Sequence, residues 1–148
     1  MNDHLDKILA VRLKEFQEGK LNCAEAVLYV LCDYYKLEIA VCPRIATAFG
    51  GGLCGTQNVC GALSGGLMVI GLWHGRELGG DKLPAYGLGK RFMEWFKQQQ
   101  SATLCAELTE TNFADPAEMA AFRMPGGTHE RLCQQIVRDT CHWLTENF

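Results

Sequence analysis

The segment CGALSGGLMVIGLW, which spans Cys60–Trp73, decides the fold of this chain. A cysteine opens it, and apolar residues then run to the tryptophan with glycines set among them. Its apolar part, Ala62–Trp73, has about 12 residues, whereas a transmembrane helix needs about 20. Because no longer apolar stretch occurs in the chain, we predict a buried core helix and no membrane span.

Glycines are unusually frequent in this helix, at positions 61, 65, 66 and 71. A glycine inside a helix costs about 1 kcal/mol relative to alanine, so the excess indicates a need for space. Gly61 and Gly65 are four residues apart and share one helix face. Two compatible interpretations stay open: close packing of another helix, for instance in a dimer, and clearance beside a ligand held by Cys60.

Apolar residues recur at helical spacing along the whole chain, and no segment alternates as a β-strand would. The length of 148 residues suits one domain. We therefore predict an all-α fold, a single-domain helical bundle of about five to seven helices over residues 1–148. Helical segments are expected to begin near Asp3, Asn22, Pro43, Cys60, Leu83, Cys105, Asp115 and Thr128, the last acting as a cap.

The charge pattern excludes some functions. The net charge is −3, and the basic residues are dispersed rather than gathered in a stripe, so we expect no nucleic-acid partner. The segment Met1–Lys20 has no apolar core of a signal peptide, so a cytoplasmic location is predicted. In that compartment the eight cysteines indicate metal, redox chemistry or plain packing rather than a disulfide framework.

Two cysteines fall at predicted helix starts. Cys23 follows Asn22, a good N-cap, and Glu25 stands where a capping box places an acid. Cys60 begins the glycine-rich helix. Because free amide groups and the helix dipole favour a negative charge there, we predict a lowered pKa for both thiols. The run Gly50–Gly52 caps a helix or forms an anion-binding nest, and it is expected to shape the wall of the thiol site.

Absent motifs narrow the chemistry. The chain has no CxxC, no CxxCH and no HExxH motif. Thioredoxin-like exchange is therefore disfavoured, and attachment of a c-type haem is excluded.

The motifs NCAEAVL, FGGG and CGALSGGLMVIGL, followed by two isolated cysteines, resemble the C_GCAxxG_C_C family of redox-active proteins. The resemblance extends from about residue 20 to residue 135. Four cysteines define the family, and matched motif by motif they fall on Cys23, Cys60, Cys105 and Cys133. Cys133 is matched by position, with Cys141 as its rival, and Cys54 departs from the family pattern as a spare ligand or resolving thiol.

The resemblance implies a cofactor. A similar domain of split-Soret cytochrome c accompanies an iron–sulfur centre, and four thiolates are the usual ligand set of such clusters. We therefore expect a redox-active protein that binds an iron–sulfur cluster for electron transfer or redox sensing, with a redox partner protein and a homodimer as expected partners. The expected metal ligands are Cys23, Cys60, Cys105 and Cys133, and the expected cofactor-binding glycines are Gly50, Gly51, Gly52, Gly61 and Gly65.

Three alternatives remain at this point. The same cysteines would cycle between dithiol and disulfide without metal, hold a structural zinc ion through four thiolates, or be buried in a helical module that dimerises through its glycine face. The sequence names no substrate and does not decide whether the protein is an enzyme.

Overall fold

The computed structural model describes residues 1–37 and 42–148, and these residues form an all-α structure with no β-strand. The fold class is therefore confirmed. Within these residues there are eight α-helices, one more than the upper end of the expected range. They are α1 (Asp3–Gln17), α2 (Cys23–Tyr34), α3 (Cys42–Ile45), α4 (Gly61–His74), α5 (Leu83–Gln100), α6 (Cys105–Thr109), α7 (Pro116–Arg123) and α8 (Gln134–Asn147).

Helix α2 lies at the centre of the core and packs against α1, α4 and α8. Its apolar residues are buried on nearly every side, as expected for a helix surrounded by others. The predicted capping box is confirmed: the Asn22 side chain accepts from the Glu25 amide at 2.9 Å, and the Glu25 carboxylate accepts from the Asn22 amide at 3.0 Å. The helix ends at Tyr34, earlier than expected, and Lys36 has a φ of 56°.

Helix α4 packs closely along α2 because of its glycines. A Cβ added at Gly65 would lie 2.8 Å from the Ala24 carbonyl oxygen, so a side chain there would push the two helices apart. A Cβ at Gly66 would lie 2.5 Å from the Phe92 ring of α5. The glycine face is therefore covered by neighbours within the chain, which confirms the interpretation of close helix packing without a second copy.

The C-terminal third differs from the expected pattern at its start. A π-helical turn, His129–Cys133, precedes α8, and the Thr128 side chain makes no capping hydrogen bond. The predicted cap at Thr128 is wrong, because this residue already has helical angles, φ −59° and ψ −37°. Helix α8 then buries Ile136, Val137 and Leu144 in the common core.

The length and hydropathy of the helices also bear on membranes. In the part of the chain that the structure describes, none is both long and apolar enough to span a bilayer. The expected absence of a membrane-spanning segment agrees with this finding.

Candidate functional site: a four-cysteine cluster

Four helix ends bring the four family cysteines to one place. Cys23 is the first residue of α2, Cys60 immediately precedes α4, Cys105 is the first residue of α6, and Cys133 ends the π-helical turn. All four line one small cavity of about 30 Å³, and all four are free thiols. We call them the four-cysteine cluster.

A short backbone pairing places Cys60 beside Cys105. Val59 and Leu104 form an isolated antiparallel bridge. On either side of it, the Cys60 amide donates to the Thr103 carbonyl at 2.8 Å, and the Cys105 amide donates to the Asn58 carbonyl at 2.7 Å. The pairing therefore holds the two cysteines on the wall of the same small cavity although they are far apart in sequence.

Glycines make room for two of the thiols. A Cβ added at Gly61 would overlap the Cys23 sulfur, and it would also lie 2.9 Å from the Phe49 carbonyl oxygen. A Cβ at Gly52 would lie 2.7 Å from the Cys105 Cβ atom. The nearest atom at Gly61 is therefore a cysteine sulfur of the cluster. At Gly52 the backbone of Asn58 is nearer still, at 2.5 and 2.6 Å, and the φ of 69° also favours glycine.

The other glycines predicted to bind a cofactor have protein neighbours too. A Cβ at Gly50 would overlap the Asn22 side chain, and one at Gly51 would lie 2.8 Å from the Cα of Gly55. Gly65 lies against α2. A role for any of the five in cofactor binding stays a prediction.

Cys23 is the thiolate of the cluster. Its pKa is lowered to about 7, first because the Cys60 thiol acts as a hydrogen-bond donor to its sulfur. Backbone amides of Gly51, Ala24 and Cys23 itself stabilise the thiolate further, while burial acts against it. The lowered pKa at this helix start is as predicted, and one amide of the glycine run, that of Gly51, contributes to it.

Cys60 behaves in the opposite way, and the prediction of a lowered pKa for it is wrong. Its pKa lies well above the usual value because it keeps its proton to donate to Cys23, because it is buried, and because the Cys23 charge repels a second charge. The amides of Ala62 and Leu63 at the start of α4 favour the thiolate but are outweighed.

The two remaining thiols are protonated at neutral pH. Burial and the charge on Cys23 raise the pKa of Cys105 to about 11. The same two causes, with the charge of Cys105 added, raise the pKa of Cys133 further. The cluster therefore carries at most one negative charge near neutral pH, and that charge is on Cys23.

Members of the four-cysteine cluster also line a larger cavity of about 220 Å³. Cys23, Cys105 and Cys133 line it, but Cys60 does not. A molecule in this cavity could therefore contact Cys23, Cys105 or Cys133, but not Cys60. Aromatic rings make up much of the wall, so we call it the aromatic cavity; they belong to Phe16, Phe113, Phe122 and His129.

These rings contact one another in series. His129 stacks on Phe16 with ring centroids 4.3 Å apart and meets Phe122 edge-on at 5.4 Å, and Phe122 contacts Phe113 at 5.1 Å. Burial and the nearby Arg123 lower the pKa of His129 to about 4, so its ring is neutral at pH 7. These residues could not be predicted as one site from the sequence, because they lie in α1, in a loop, in α7 and in the π-helical turn, with no motif in common.

The rival cysteines lie outside both cavities. Cys54 is exposed, and its thiol donates to the Ala48 carbonyl at 3.3 Å. Cys141 is fully buried in the core on α8, and Cys32 is buried on α2. The side chain of Cys42 lies outside the described residues. Position therefore favours Cys133 over Cys141 as the fourth member.

The four thiols of the four-cysteine cluster are the ligand types of an iron–sulfur centre, but they are not arranged as in such a site. Four cysteine thiols are the usual ligands of such clusters. Among the described residues, however, no three His, Cys, Asp or Glu side chains are arranged to hold one metal ion. The cavity between the thiols has room for little more than a water molecule. Binding of an iron–sulfur centre between the four cysteines would require their side chains to move apart.

A family model described as "Putative redox-active protein (C_GCAxxG_C_C)" matches residues 21–147. The chain belongs to this family. The match covers all four members of the cluster and most of both cavity walls. No curated protein and no solved structure matches the chain. Membership in the C_GCAxxG_C_C family gives a redox-active protein in general terms, and the chemistry must be argued from the site.

Proposed function

We propose that the protein is a thiol–disulfide redox protein in which Cys23 and Cys60 form the redox couple. One arrangement carries the proposal: Cys23 and Cys60 line the same small cavity, and of the two only Cys23 also lines the aromatic cavity. The opposite shifts in the pKa values of the two thiols agree with a proton held by Cys60 and shared toward Cys23. In this arrangement the Cys23 thiolate is the attacking group, and Cys60 is the second thiol that resolves the mixed disulfide.

The oxidant in this reaction is a disulfide supplied from outside. The Cys23 thiolate attacks one sulfur of that disulfide, the S–S bond breaks, and the other half leaves as a thiolate that takes a proton from water. The sulfur of Cys60 then attacks Cys23 in the mixed disulfide. Cys60 loses its proton, the second half leaves as a thiol, and two electrons have passed from the protein to the substrate.

The electrostatics of the pair support this order of events. The charge of Cys23 and the donated hydrogen bond are the interactions that keep Cys60 protonated at the start. Both disappear once Cys23 is bound in a mixed disulfide. The amides of Ala62 and Leu63 then favour the Cys60 thiolate, so the second thiol becomes reactive after the first has reacted.

The test is to equilibrate the protein, without metal and without oxygen, in mixtures of reduced and oxidised glutathione. Peptide mapping by mass spectrometry should then find a Cys23–Cys60 disulfide that appears and disappears reversibly with the ratio of the two. In Cys60→Ser the mixed disulfide at Cys23 should accumulate instead.

Cys54→Ser provides the matched control, because Cys54 is exposed and lies outside the cluster. This variant should form the Cys23–Cys60 disulfide as the parent chain does. If no ratio of glutathione forms that disulfide in a folded protein, the proposal is refuted.

An iron–sulfur cluster is the second candidate, and a specific observation favours it: four thiols from four separate segments line one cavity. A single redox couple needs only two. Cys23, Cys60, Cys105 and Cys133 would hold the cluster, and the raised pKa values of Cys60, Cys105 and Cys133 mean that binding would release their protons. Bound there, it would supply one-electron transfer.

Anaerobic reconstitution with iron and sulfide separates the two candidates. A stable coloured protein with stoichiometric iron and sulfide, lost in Cys105→Ser as well as in Cys23→Ser, would favour the cluster. A colourless protein whose Cys23–Cys60 disulfide forms normally in Cys105→Ser would favour the thiol couple. Zinc analysis of the same samples tests the structural zinc site with four cysteine ligands.

A further inference from the structure

The aromatic cavity has the size of a small-molecule site. Its volume is about 220 Å³, and an enclosed apolar cavity of about 150 Å³ is enough to hold a benzene ring. The cavity therefore has room for one aromatic ring with a short substituent. Cys23 is one of the residues that line it.

The wall determines the polarity of the guest. The lining is mainly apolar, and Phe16, Phe113, Phe122 and the stacked His129 contribute four aromatic rings to it. Aromatic pairs prefer offset or edge-on contacts at centroid distances of about 4.5–7 Å. A planar apolar guest can make such contacts with several of these rings at once.

One charge on the wall is left without a partner. Arg123 lines the cavity, and no hydrogen bond or ion pair engages its guanidinium group among the described residues. Two other groups on the wall can carry a negative charge, Cys23 and Glu25. The Glu25 carboxylate is already engaged, because it accepts from the Asn22 amide and from the Thr47 hydroxyl. A planar guanidinium group matches a carboxylate in two parallel hydrogen bonds.

We propose that the aromatic cavity binds a small aromatic molecule with one carboxylate, and that such a group forms one half of the disulfide that Cys23 reduces. The ring would lie against Phe16, Phe113 and Phe122, with its carboxylate on Arg123. The second part of this inference rests on the proposed function, whereas the first part does not depend on redox chemistry.

The binding test uses a redox-inert pair of probes, 3-phenylpropanoate and its neutral amide, titrated into the reduced protein and followed by NMR chemical shifts. The carboxylate should bind about five-fold more tightly than the amide, which is the upper range for an exposed ion pair. In Arg123→Gln the difference should disappear. Arg131→Gln is the matched control, because Arg131 is also exposed but does not line the cavity.

The reaction test compares two aromatic disulfides, 5,5′-dithiobis(2-nitrobenzoate), which carries a carboxylate on each ring, and 4,4′-dithiodipyridine, which carries none. The rate of modification at Cys23 is read by peptide mass spectrometry. Arg123→Gln should slow the first reaction about five-fold and leave the second unchanged.

The outcomes separate the two proposals. If neither probe binds, or if acid and amide bind equally in the parent chain, the inference is overturned whatever the thiols do. If the carboxylate binds through Arg123 but no Cys23–Cys60 disulfide forms in the glutathione experiment, the site stands and the proposed function falls, together with the link to a disulfide substrate.

Discussion

Replacing Gly61 with alanine tests how the cluster is packed. The new Cβ would overlap the Cys23 sulfur, and it would lie 2.9 Å from the Phe49 carbonyl oxygen and 3.1 Å from the Ala24 amide nitrogen. The sulfur has somewhere to go, because the small cavity of about 30 Å³ is beside it. The two backbone atoms can move only with the segments that carry them, so α4 must shift relative to α2 and to the turn Thr47–Phe49.

The expected magnitude follows from two opposing effects. Extra atoms in a packed core cost about 1–3 kcal/mol, whereas alanine instead of glycine in a helix contributes about 0.5–1 kcal/mol. The difference is a loss of about 0–2.5 kcal/mol, and we expect Gly61→Ala to lower the free energy of unfolding by about 1 kcal/mol. Gly71→Ala is the matched control in the same helix, since its Cβ meets nothing within 4 Å; it should raise stability by about 0.5–1 kcal/mol.

Urea unfolding under reducing conditions measures both variants, and the pH dependence of Cys23 alkylation gives a second result. A displaced sulfur loses the hydrogen bond from Cys60, so the alkylation midpoint should move upward in Gly61→Ala and stay in place in Gly71→Ala. Equal stabilities and equal midpoints for the two variants would refute the close contact between Gly61 and Cys23.

Three further predictions concern the thiols and the cap. Alkylation of Cys23 should have a midpoint near pH 7, falling at lower pH as the thiolate is protonated, and Cys60→Ala should raise that midpoint because the main hydrogen-bond donor is removed. The stability of the reduced protein, from urea unfolding, should decrease above about pH 9. The raised pKa values of Cys60, Cys105 and Cys133 keep protons on the folded state that the unfolded chain releases. Asn22→Ala should lower the free energy of unfolding by about 1 kcal/mol in the same assay, whereas Asn22→Asp should retain most of the parent stability.

Local features were predictable from the sequence. The helix Leu83–Gln100 has the expected limits, and the capping box at Asn22 places Cys23 at a helix start. These depend on residues near in sequence, for which periodicity and capping rules are sufficient. The identity of the four cysteines came instead from the family resemblance.

Long-range features were not predictable in the same way. The pKa of Cys60 is raised where a lowered pKa was expected. The effect of the neighbouring Cys23 thiolate is larger than the effect of the free amides at the start of α4. The proximity of Cys60 and Cys105 depends on the bridge between Val59 and Leu104. The aromatic cavity unites α1, α7 and the loop around Phe113, and no short motif records such an assembly.

The packing also bears on the choice between the two proposed functions. Gly61 packs against Cys23, and Gly52 packs against Cys105. These contacts prevent the two cysteines from moving outward to enlarge the cavity between the thiols. An iron–sulfur centre would have to extend into the aromatic cavity, which Cys23, Cys105 and Cys133 also line. Reconstitution with iron and sulfide should therefore abolish binding of 3-phenylpropanoate in the NMR titration. If 3-phenylpropanoate binds undiminished to a protein fully loaded with iron and sulfide, the iron–sulfur centre is held elsewhere.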